Sequence, residues 1–420
     1  ARPMSGASLD ARSGANSRLA AAGLTATTIL WLTAGLSMLQ PLSTDLYLST
    51  LPGIATYFNA SVASVQSTLW IFIAAFGAWQ LVAGPLSDRF GRYPVVIAGA
   101  VTYFAASVLA MLAPSLDILI ACRVLQAIGA CTCLVGARGL VRDLYAPTEG
   151  ARMLANAATL MSVAPLVGPL IGAALYVRFG WRSSFALLAA VSLVLACIAA
   201  ARLKETNTRR NPHALSLGPM LRTYAEVARS PAFRAYTLAA AATYACLFTF
   251  LSGSSFVLIN VLGESPAVFA LTFATMVSGY VIGTVICRRL LARIGIQRTV
   301  CIGATLQAAA GITMAALALA GLHVPLAIAA PIFFLGVSHG IIQPPTQSGA
   351  VAAFPHAAGA AAALLGFTMM VVATCIGIWI GVSYNATVYP LTLTVCACAL
   401  ASAVNAFTLV RKDGDIAAHG

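Results

Sequence analysis

The sequence TVCIGATLQAAAGITMAALALAGL occupies residues 299–322, and it opens an interval of 112 residues, 299–410, that contains no Asp, Glu, Lys or Arg. Further charge-free intervals precede it, among them 46–87, 93–116, 153–177, 235–263 and 265–287. Over the whole chain 60% of the residues are hydrophobic and only 8% are charged. An average soluble domain has about 25% charged residues. This composition predicts a membrane protein.

The charge-free intervals predict membrane-spanning α-helices. About 20 mostly apolar residues cross the hydrocarbon core, and a helix bonds its own backbone amides within the segment. Membrane strands would instead alternate polar and apolar residues. We therefore predict an all-α polytopic membrane protein with twelve transmembrane helices. The predicted spans begin near residues 24, 64, 95, 117, 150, 183, 234, 265, 299, 325, 357 and 387.

A charged segment divides the chain into two parts of similar length. From Arg202 to Arg234 lie nine of the 35 charged residues, together with Asn-Pro and Gly-Pro turn signals. We predict two pseudo-symmetric six-helix bundles at 24–203 and 234–410, joined by a cytoplasmic linker at 204–233. The polar N-terminal stretch 1–23 is predicted to be a disordered cytoplasmic tail, and 411–420 a cytoplasmic C-terminal tail.

A short sequence echo supports an internal repeat. Arg89-Phe90-Gly91 follows the second predicted helix, and Arg293-Ile294-Gly295 follows the eighth. The second copy has Ala292 where Asp88 would repeat, so only the first loop carries the full charge cluster.

The positions of the basic residues predict the orientation. With the N-terminus in the cytoplasm, all but four of the 24 Lys and Arg residues lie on or near that side. The exceptions are Arg123, Arg138, Arg178 and Arg182. Topology thus explains the net charge of +13, and nucleic-acid binding is not expected. The ten cysteines lie in apolar segments without metal-ligand spacing, so we predict core residues and no metal site.

Asp45 is the one carboxylate in the interior of a predicted membrane helix. A charged side chain there costs about 2.5–3.5 kcal/mol on insertion scales, which marks a functional candidate that could gain and lose a proton. The alternative is that Asp45 caps the outer end of the helix, because Leu24 to Ser43 already spans a bilayer. Pro41 and Pro52 favour a bent helix that continues past it.

Arg123 is the predicted partner of Asp45. It enters the fourth helix six residues after Asp117, about 9 Å below the outer end at 1.5 Å per residue. An arginine at that depth needs a partner or water, and an Asp45–Arg123 pair, direct or through water, is the simplest solution. The alternative is that Arg123 snorkels to the outer interface.

Three ordered motifs indicate a family. Residues 84–92 read GPLSDRFGR, 123–129 read RVLQAIG and 164–172 read APLVGPLIG. In this order and on these helices, they resemble the major facilitator superfamily, in particular its proton-coupled drug antiporters. Residues 43–48 (STDLYL), 142–145 (RDLY) and 354–359 (FPHAAG) further resemble the Bcr/CflA subfamily, whose members include exporters of bicyclomycin and phenicols.

The resemblance implies proton/drug antiport by alternating access, with Asp45 as proton carrier and Arg123 coupled to it. It also implies a cytoplasmic gate that Asp88, Arg92 and Asp143 latch in the outward-open state, and an antiporter motif that shapes the interface between the halves. The alternative for that motif is ordinary small-residue packing. The gate residues are Gly84, Asp88, Arg89, Gly91, Arg92 and Asp143, and the motif residues are Pro165, Gly168, Pro169 and Gly172.

Candidate substrate contacts lie on helices that line the central cavity in the superfamily. Their aromatic, soft apolar and amide groups suit amphipathic drugs, although each could face lipid instead. They are Tyr47, Gln126, Met161, Tyr244, Phe248 and Gln343. Arg138 either lines the cavity or reaches the cytoplasmic headgroups. His339 either titrates as a wet imidazole or is a packing histidine.

Together with this resemblance, the sequence predicts a monomeric exporter of amphipathic small molecules that needs protons and lipid but no cofactor; the resemblance implies a bacterial inner membrane and substrates such as phenicols or bicyclomycin. The scarcity of cavity carboxylates favours neutral or anionic substrates. Two alternatives remain, an exporter of nucleoside-like or amino-acid-like metabolites and an uncoupled facilitator. An enzyme is not expected, because HExxH and phosphate-loop motifs are absent from the sequence and its acidic residues are too few for paired-carboxylate chemistry.

Overall fold

The computed structural model describes residues 24–161, 163–207, 210–212 and 214–414, with the side chains of 147, 148, 151, 163 and 356 excepted. Within these ranges the regular secondary structure is helical throughout. The predicted tail at 1–23 and most of the one at 411–420 lie outside the described residues.

The first part of the chain forms eight helices. Serine or threonine side chains at Thr25, Ser61 and Ser115 accept a backbone N–H and begin α1, α3 and α5. A 3₁₀ turn, Leu48–Thr50, joins α1 to α2. The bounds are α1 Ala26–Asp45, α2 Leu51–Phe58, α3 Val62–Phe90, α4 Arg92–Met111, α5 Leu116–Leu144, α6 Pro147–Met161, α7 Val163–Phe179 and α8 Arg182–Arg202.

The second part begins with a short helix, α9, in the segment predicted to be a linker. A π-helical turn, Phe256–Val261, extends α10, and another, Ala406–Val410, extends α14 into the three-residue helix Arg411–Asp413. The bounds are α9 Leu217–Arg229, α10 Pro231–Ser255, α11 Pro266–Leu319, α12 Pro325–Ala352, α13 Ala358–Ser383 and α14 Tyr389–Asn405.

Ten helical segments of the described chain are long and apolar enough to cross a membrane. They are α3, α4, α5, the joint segment Arg152–Phe179, α8, α10, α11, α12, α13 and α14. The helix α1 is not among them, because its threonine, serine, glutamine and proline residues lower its mean hydropathy. Helix α1 ends at Asp45, and the chain continues through the 3₁₀ turn into α2, so the path between the two prolines is helical but interrupted.

The helix α11 is 54 residues long but is broken at Gly295, where φ is 75° and ψ is −179°. Upstream, Gly279 packs against the carbonyl of Phe333 in α12, and downstream Gly303 packs against Ile341 of the same helix. In a straight helix Gly279 and Gly303 would lie about 36 Å apart, whereas their partners on α12 lie about 12 Å apart. The chain therefore reverses direction at Gly295.

Gly91 occupies the corresponding position between α3 and α4. Its φ of 105° also lies in the region that favours glycine. The echo between residues 89–91 and 293–295 thus marks two structurally similar reversals.

The two parts of the chain meet along closely packed helices. Glycines of α13 admit side chains of α3: a Cβ on Gly377 would lie 2.7 Å from the Cβ of Trp70, and Gly77 of α3 receives Met370 in the same way. Helix α7 packs against both α1 and α11. This arrangement brings the predicted antiporter motif next to the segment that carries Asp45.

Candidate functional site

Arg123 is a fully buried cation held by backbone and amide oxygens. Its Nε donates to the carbonyl of Thr68 at 3.0 Å, and its two terminal nitrogens donate to the carbonyl of Ser43 and to Oε1 of Gln126, both at 2.8 Å. Hydrogen bonds from a charged donor are roughly twice as strong as neutral ones. The snorkelling alternative is wrong, because the guanidinium points into packed protein.

Two aromatic rings complete the Arg123 environment. The guanidinium carbon lies 4.3 Å from the ring centroid of Phe72 and 4.7 Å from that of Tyr47. At such distances the ring quadrupoles attract the cation. Tyr47 is therefore part of the arginine's enclosure in this conformation, where it is fully buried.

A polar network extends outward from the arginine through α1, α3 and α4. Gln126 donates to Ser107 Oγ at 2.8 Å, so it too is buried in the network. The hydroxyls of Ser43 and Tyr103 share a hydrogen bond, as do those of Tyr47 and Thr68. The network orients α1 relative to α4 and α5.

Asp45 lies on another side of α1. It is 4% exposed, and its Oδ1 accepts a hydrogen bond from the Thr44 hydroxyl at 2.8 Å. A Cβ on Gly168 of α7 would lie 3.5 Å from the Asp45 Cβ, and Tyr244 of α10 lies within electrostatic reach of the carboxylate. The ion pairs of the described residues do not include Asp45.

The direct Asp45–Arg123 pair predicted from the sequence is absent from this conformation. Ser43 and Asp45 are two residues apart, which on an α-helix is a rotation of about 200°. Ser43 faces α4 and α5, so Asp45 faces α7 and α10. In this conformation the backbone of α1 connects the two charged groups, because its Ser43 carbonyl binds the arginine two residues before Asp45.

The predicted antiporter motif packs directly on this part of α1. A Cβ on Gly172 would collide with the carbonyl oxygen of Leu46, and Pro169 stands inside α7. Pro165 lies half-buried one turn earlier. A side chain larger than glycine at 172 would push α7 away from the Asp45 segment.

A second polar cluster lies between α10, α11 and α12. His339 Nδ1 is 3.3 Å from the Thr243 hydroxyl, to which Gln307 Nε2 donates at 2.8 Å. The rings of Tyr244 and Tyr280 lie 6.5 and 5.7 Å from the imidazole. These three polar residues line a cavity of about 10 Å³, which is room for one water. His339 is 7% exposed, and its imidazole contacts Thr243 and the two tyrosine rings.

The other predicted substrate contacts occupy different environments. Gln343 is buried and donates to the Met369 sulfur at 3.7 Å. Phe248 is fully buried against Tyr244, with ring centroids 6.3 Å apart. Met161 is half-buried and Arg138 is exposed. The conformation therefore presents Arg138, Met161 and Tyr244 more openly than the other five.

The predicted gate residues form a charge cluster at the end of α3. Arg92 bonds Asp88 at 2.7 Å and Asp143 of α5 at 2.9 Å, and Arg142 also reaches Asp88 at 3.2 Å. Arg89 lies outside this cluster, over the ring of Phe90. Gly84 has open space where a Cβ would stand.

The linker lies across this gate and contributes Glu205, which sequence reasoning missed. Its Oε1 accepts the backbone N–H groups of Arg92, Thr206 and Asn207 at 2.8–3.0 Å. Its carboxylate also fills the space where a Cβ on Gly91 would stand. An anion at the first residue of α4 complements the helix dipole. In sequence, Glu205 is one acid among several charged linker residues, so spacing gave no signal.

Three further linker contacts reach the gate acids. The Asp88 carbonyl accepts from the backbone N–H of Asn211 at 3.1 Å and from the side chain of Asn207 at 3.2 Å. The Thr206 hydroxyl donates to Asp143 at 3.3 Å. Residues 205–207 and 211 thus hold the α3–α4 turn at several points.

A bundle of apolar spanning helices, with a buried cation and a separate buried carboxylate in its interior, defines an integral-membrane transporter. Among the described residues no group of three or more His, Cys, Asp or Glu side chains is arranged to hold a metal ion. The chain belongs to the Major Facilitator Superfamily, whose model matches residues 33–378.

Relatives narrow this assignment. The chain is 30% identical over 328 residues to a chloramphenicol resistance protein of Pseudomonas aeruginosa, covering 78% of this chain and 77% of that one. It is 26% identical over 389 residues to a bicyclomycin resistance protein homolog of Haemophilus influenzae, covering 92% and 97%. These relatives confirm the Bcr/CflA resemblance. Among solved structures, a D-xylose-proton symporter shares the fold with a TM-score of 0.71 at 14% identity, covering 93% of this chain and 99% of that chain.

Proposed function

We propose that this protein exports amphipathic small molecules in exchange for protons, by alternating access, as a monomer in a bacterial inner membrane. The observation that carries the proposal is Asp45, a buried carboxylate that forms no ion pair with the described residues and packs against the glycine motif of α7. The proton gradient is the energy source, and no cofactor takes part.

The proposed topology has twelve spans in two six-helix bundles, with both termini in the cytoplasm. In it, α1 and α2 together make the first span, α6 and α7 make the fifth, and α11 supplies two on either side of Gly295. The remaining eight spans are α3, α4, α5, α8, α10, α12, α13 and α14. The linker 204–233 then lies on the cytoplasmic side, in agreement with its position across the gate.

Asp45 is proposed to carry the proton. A charged carboxylate in this apolar interior is costly without a cation, whereas the neutral acid can remain buried. When the bundle opens to one side and water reaches Asp45, the charged form is solvated and the proton can leave. Gain and loss of the proton therefore bias the equilibrium between the two open states.

Arg123 is proposed to couple this event to the helices around it. Its hydrogen bond to the Ser43 carbonyl fixes the outer end of α1, two residues from Asp45. A rotation of α1 that brings Asp45 toward Arg123, directly or through water, would exchange carbonyl contacts for a carboxylate contact. The gate cluster around Arg92 would latch the cytoplasmic ends in one of the two states.

The proposed substrates are neutral or anionic amphipathic antibiotics, such as phenicols or bicyclomycin. The names of the relatives support this class. In the structure, Tyr244 and His339 place aromatic and polar groups on the second-half side of Asp45, and Arg138 and Met161 are accessible on the first-half side. Tyr47, Gln126, Phe248 and Gln343 would join them only after a conformational change.

Two other functions fit the same fold. An exporter of nucleoside-like or amino-acid-like metabolites would use the same proton cycle with a different cavity preference. An uncoupled facilitator would use Asp45 only for structure. Growth tests with metabolites in place of antibiotics separate the first from drug export, and gradient dependence separates the second.

Everted vesicles test the proposal. With an acidic interior, the wild type should accumulate a radiolabelled phenicol, and accumulation should collapse when an uncoupler dissipates the gradient. Asp45→Asn should abolish accumulation, whereas the control Asp117→Asn, an exposed carboxylate in the first turn of α5, should retain it. Equal, gradient-independent equilibration by all three proteins would identify a facilitator.

A further inference from the structure

Helix α9 has three distinct faces around its axis. Val227 is fully buried and Met220 and Tyr224 are half-buried, so one face packs on the protein. A second face is apolar but exposed, with Leu217 at 68% and Leu221 at 60%. The third face carries exposed charges, Arg222, Glu226 and Arg229.

The exposed apolar face forms a continuous stripe. At 3.6 residues per turn, Leu217, Leu221, Ala225 and Ala228 lie within about 80° of one another around the helix. The two arginines flank this stripe on the side away from the protein. A stripe of this kind, bordered by basic residues, is typical of helices that lie in the surface of a membrane.

The position of α9 along the bundle agrees with a location at the membrane surface. Tyr224 donates its hydroxyl to the carbonyl of Leu81 at 2.9 Å. Helix α3 has 29 residues, about 43 Å, against a hydrocarbon thickness of about 30 Å. If its outer end at Val62 lies at one boundary, the other boundary falls about 20 residues later, next to Leu81.

The Tyr224 bond uses a carbonyl that α3 leaves free. Pro85 has no N–H, so the carbonyl of Leu81, four residues earlier, lacks its helical donor. Tyr224 supplies that donor from outside. The bond fixes α9 beside the proline, three residues before the gate acid Asp88.

We propose that α9 docks on the anionic lipid headgroups of the adjacent leaflet, with Leu217, Leu221, Ala225 and Ala228 in the lipid and Arg222 and Arg229 on the phosphates. The stripe belongs to a helix that packs on the apolar spans α3 and α13, and the arginines supply complementary charge. Basic residues near the surface are attracted to anionic lipid headgroups. The inference depends on the membrane location of the fold and not on proton coupling.

Hydrogen exchange of the full-length protein tests it, with one copy per nanodisc of either pure phosphatidylcholine or a mixture containing phosphatidylglycerol. Amides of residues 220–229 should exchange at least fivefold more slowly in the anionic discs. The double variant Arg222→Gln/Arg229→Gln should lose this difference, while the control Arg178→Gln, exposed at the end of α7, should keep it. Exchange elsewhere in the chain reports whether each variant folds.

A second test measures hydrogen exchange of the wild type at high salt and needs no variant. At 1 M salt the Debye length is about 3 Å, so the wild-type difference between the two lipids should disappear. Equal exchange of α9 in both lipids at low salt would overturn the proposal. So would protection that appears only with two copies per disc, since the stripe would then be an interface between copies of the chain.

Discussion

At the scale of single residues, Arg123 is the most constrained charged group in the interior. It makes hydrogen bonds to two carbonyls and one amide oxygen and lies against two aromatic rings. A planar guanidinium can serve such divergent acceptors at once, whereas an ammonium group is a compact point charge. The site is therefore specific for arginine rather than for positive charge.

Arg123→Lys should keep the charge but lose most of these bonds. Each carbonyl left without a donor costs about 1–3 kcal/mol, so we expect a lower melting temperature in detergent and at least a tenfold loss of transport. Thermal unfolding and vesicle transport measure the two effects. The matched control is Arg178→Lys, which is exposed and should behave as wild type. Wild-type stability and transport in Arg123→Lys would show that charge alone suffices.

The sequence predicted which polar residues are buried but not which ones touch. The absence of other charges marked Asp45 and Arg123 as interior groups, and both are buried. Their contact depends on the rotation of α1 around its axis, and α1 has no clear apolar face from which that rotation could be read. The carbonyl acceptors of Arg123 are backbone atoms, which no sequence pattern reveals.

At the scale of helices, the contact between α7 and α1 is set by a single glycine. Gly172→Ala would place a methyl group against the Leu46 carbonyl, and overpacking of this kind costs about 1–3 kcal/mol. We expect lower stability together with impaired transport, because α7 would no longer fit against the Asp45 segment. Gly218→Ala, where a Cβ meets open space, is the control for thermal unfolding and drug efflux. Equal effects of the two substitutions would contradict the packing argument.

The second prediction at the scale of helices concerns the linker strap, which is the set of contacts that Glu205 and its neighbours make with the α3–α4 turn. Glu205→Gln replaces a carboxylate that accepts three backbone N–H groups, and charge-assisted bonds contribute about 1.5–3 kcal/mol each. Residues 203–211 and the first turn of α4 should therefore exchange amide hydrogens faster, and the gate should open more readily. Hydrogen exchange measures this, with Glu226→Gln in α9 as control. Unchanged exchange around Arg92 in Glu205→Gln would remove the strap from the gate mechanism.

Helix boundaries were the most predictable feature of the fold. Most predicted starts lie within three residues of the observed ones, because charged residues end the apolar intervals where the spans leave the membrane. The loop contacts of Glu205 and Tyr224 were not predictable. They depend on how the linker folds back over α3, and that path leaves no periodic signal.

At the scale of the whole molecule, a charged linker joins the two parts of the chain. In the structure, the described residues of this linker are bound to the helices beside them. The contacts of residues 205–207 and 211 and the Tyr224 bond attach it to the first half, and α9 also packs against α13. Relative motion of the halves must therefore displace or carry the linker.

Tyr224→Phe removes only the hydroxyl that donates a hydrogen bond to the Leu81 carbonyl. It should loosen α9 and change the balance between the two open states without unfolding the bundle. Labelling of single cysteines on the two sides of the protein, introduced into a cysteine-free background, would measure that balance. A labelling pattern identical to that of the wild type would show that α9 is a passive connection.

The most direct test of the mechanism is substrate-induced proton release from the purified protein in weakly buffered detergent. Addition of a phenicol to the wild type should release protons, and Asp45→Asn should bind the same ligand and release none. That result would assign the coupled proton to Asp45. Ligand binding without proton release by the wild type, or release that persists in Asp45→Asn, would contradict antiport through this carboxylate.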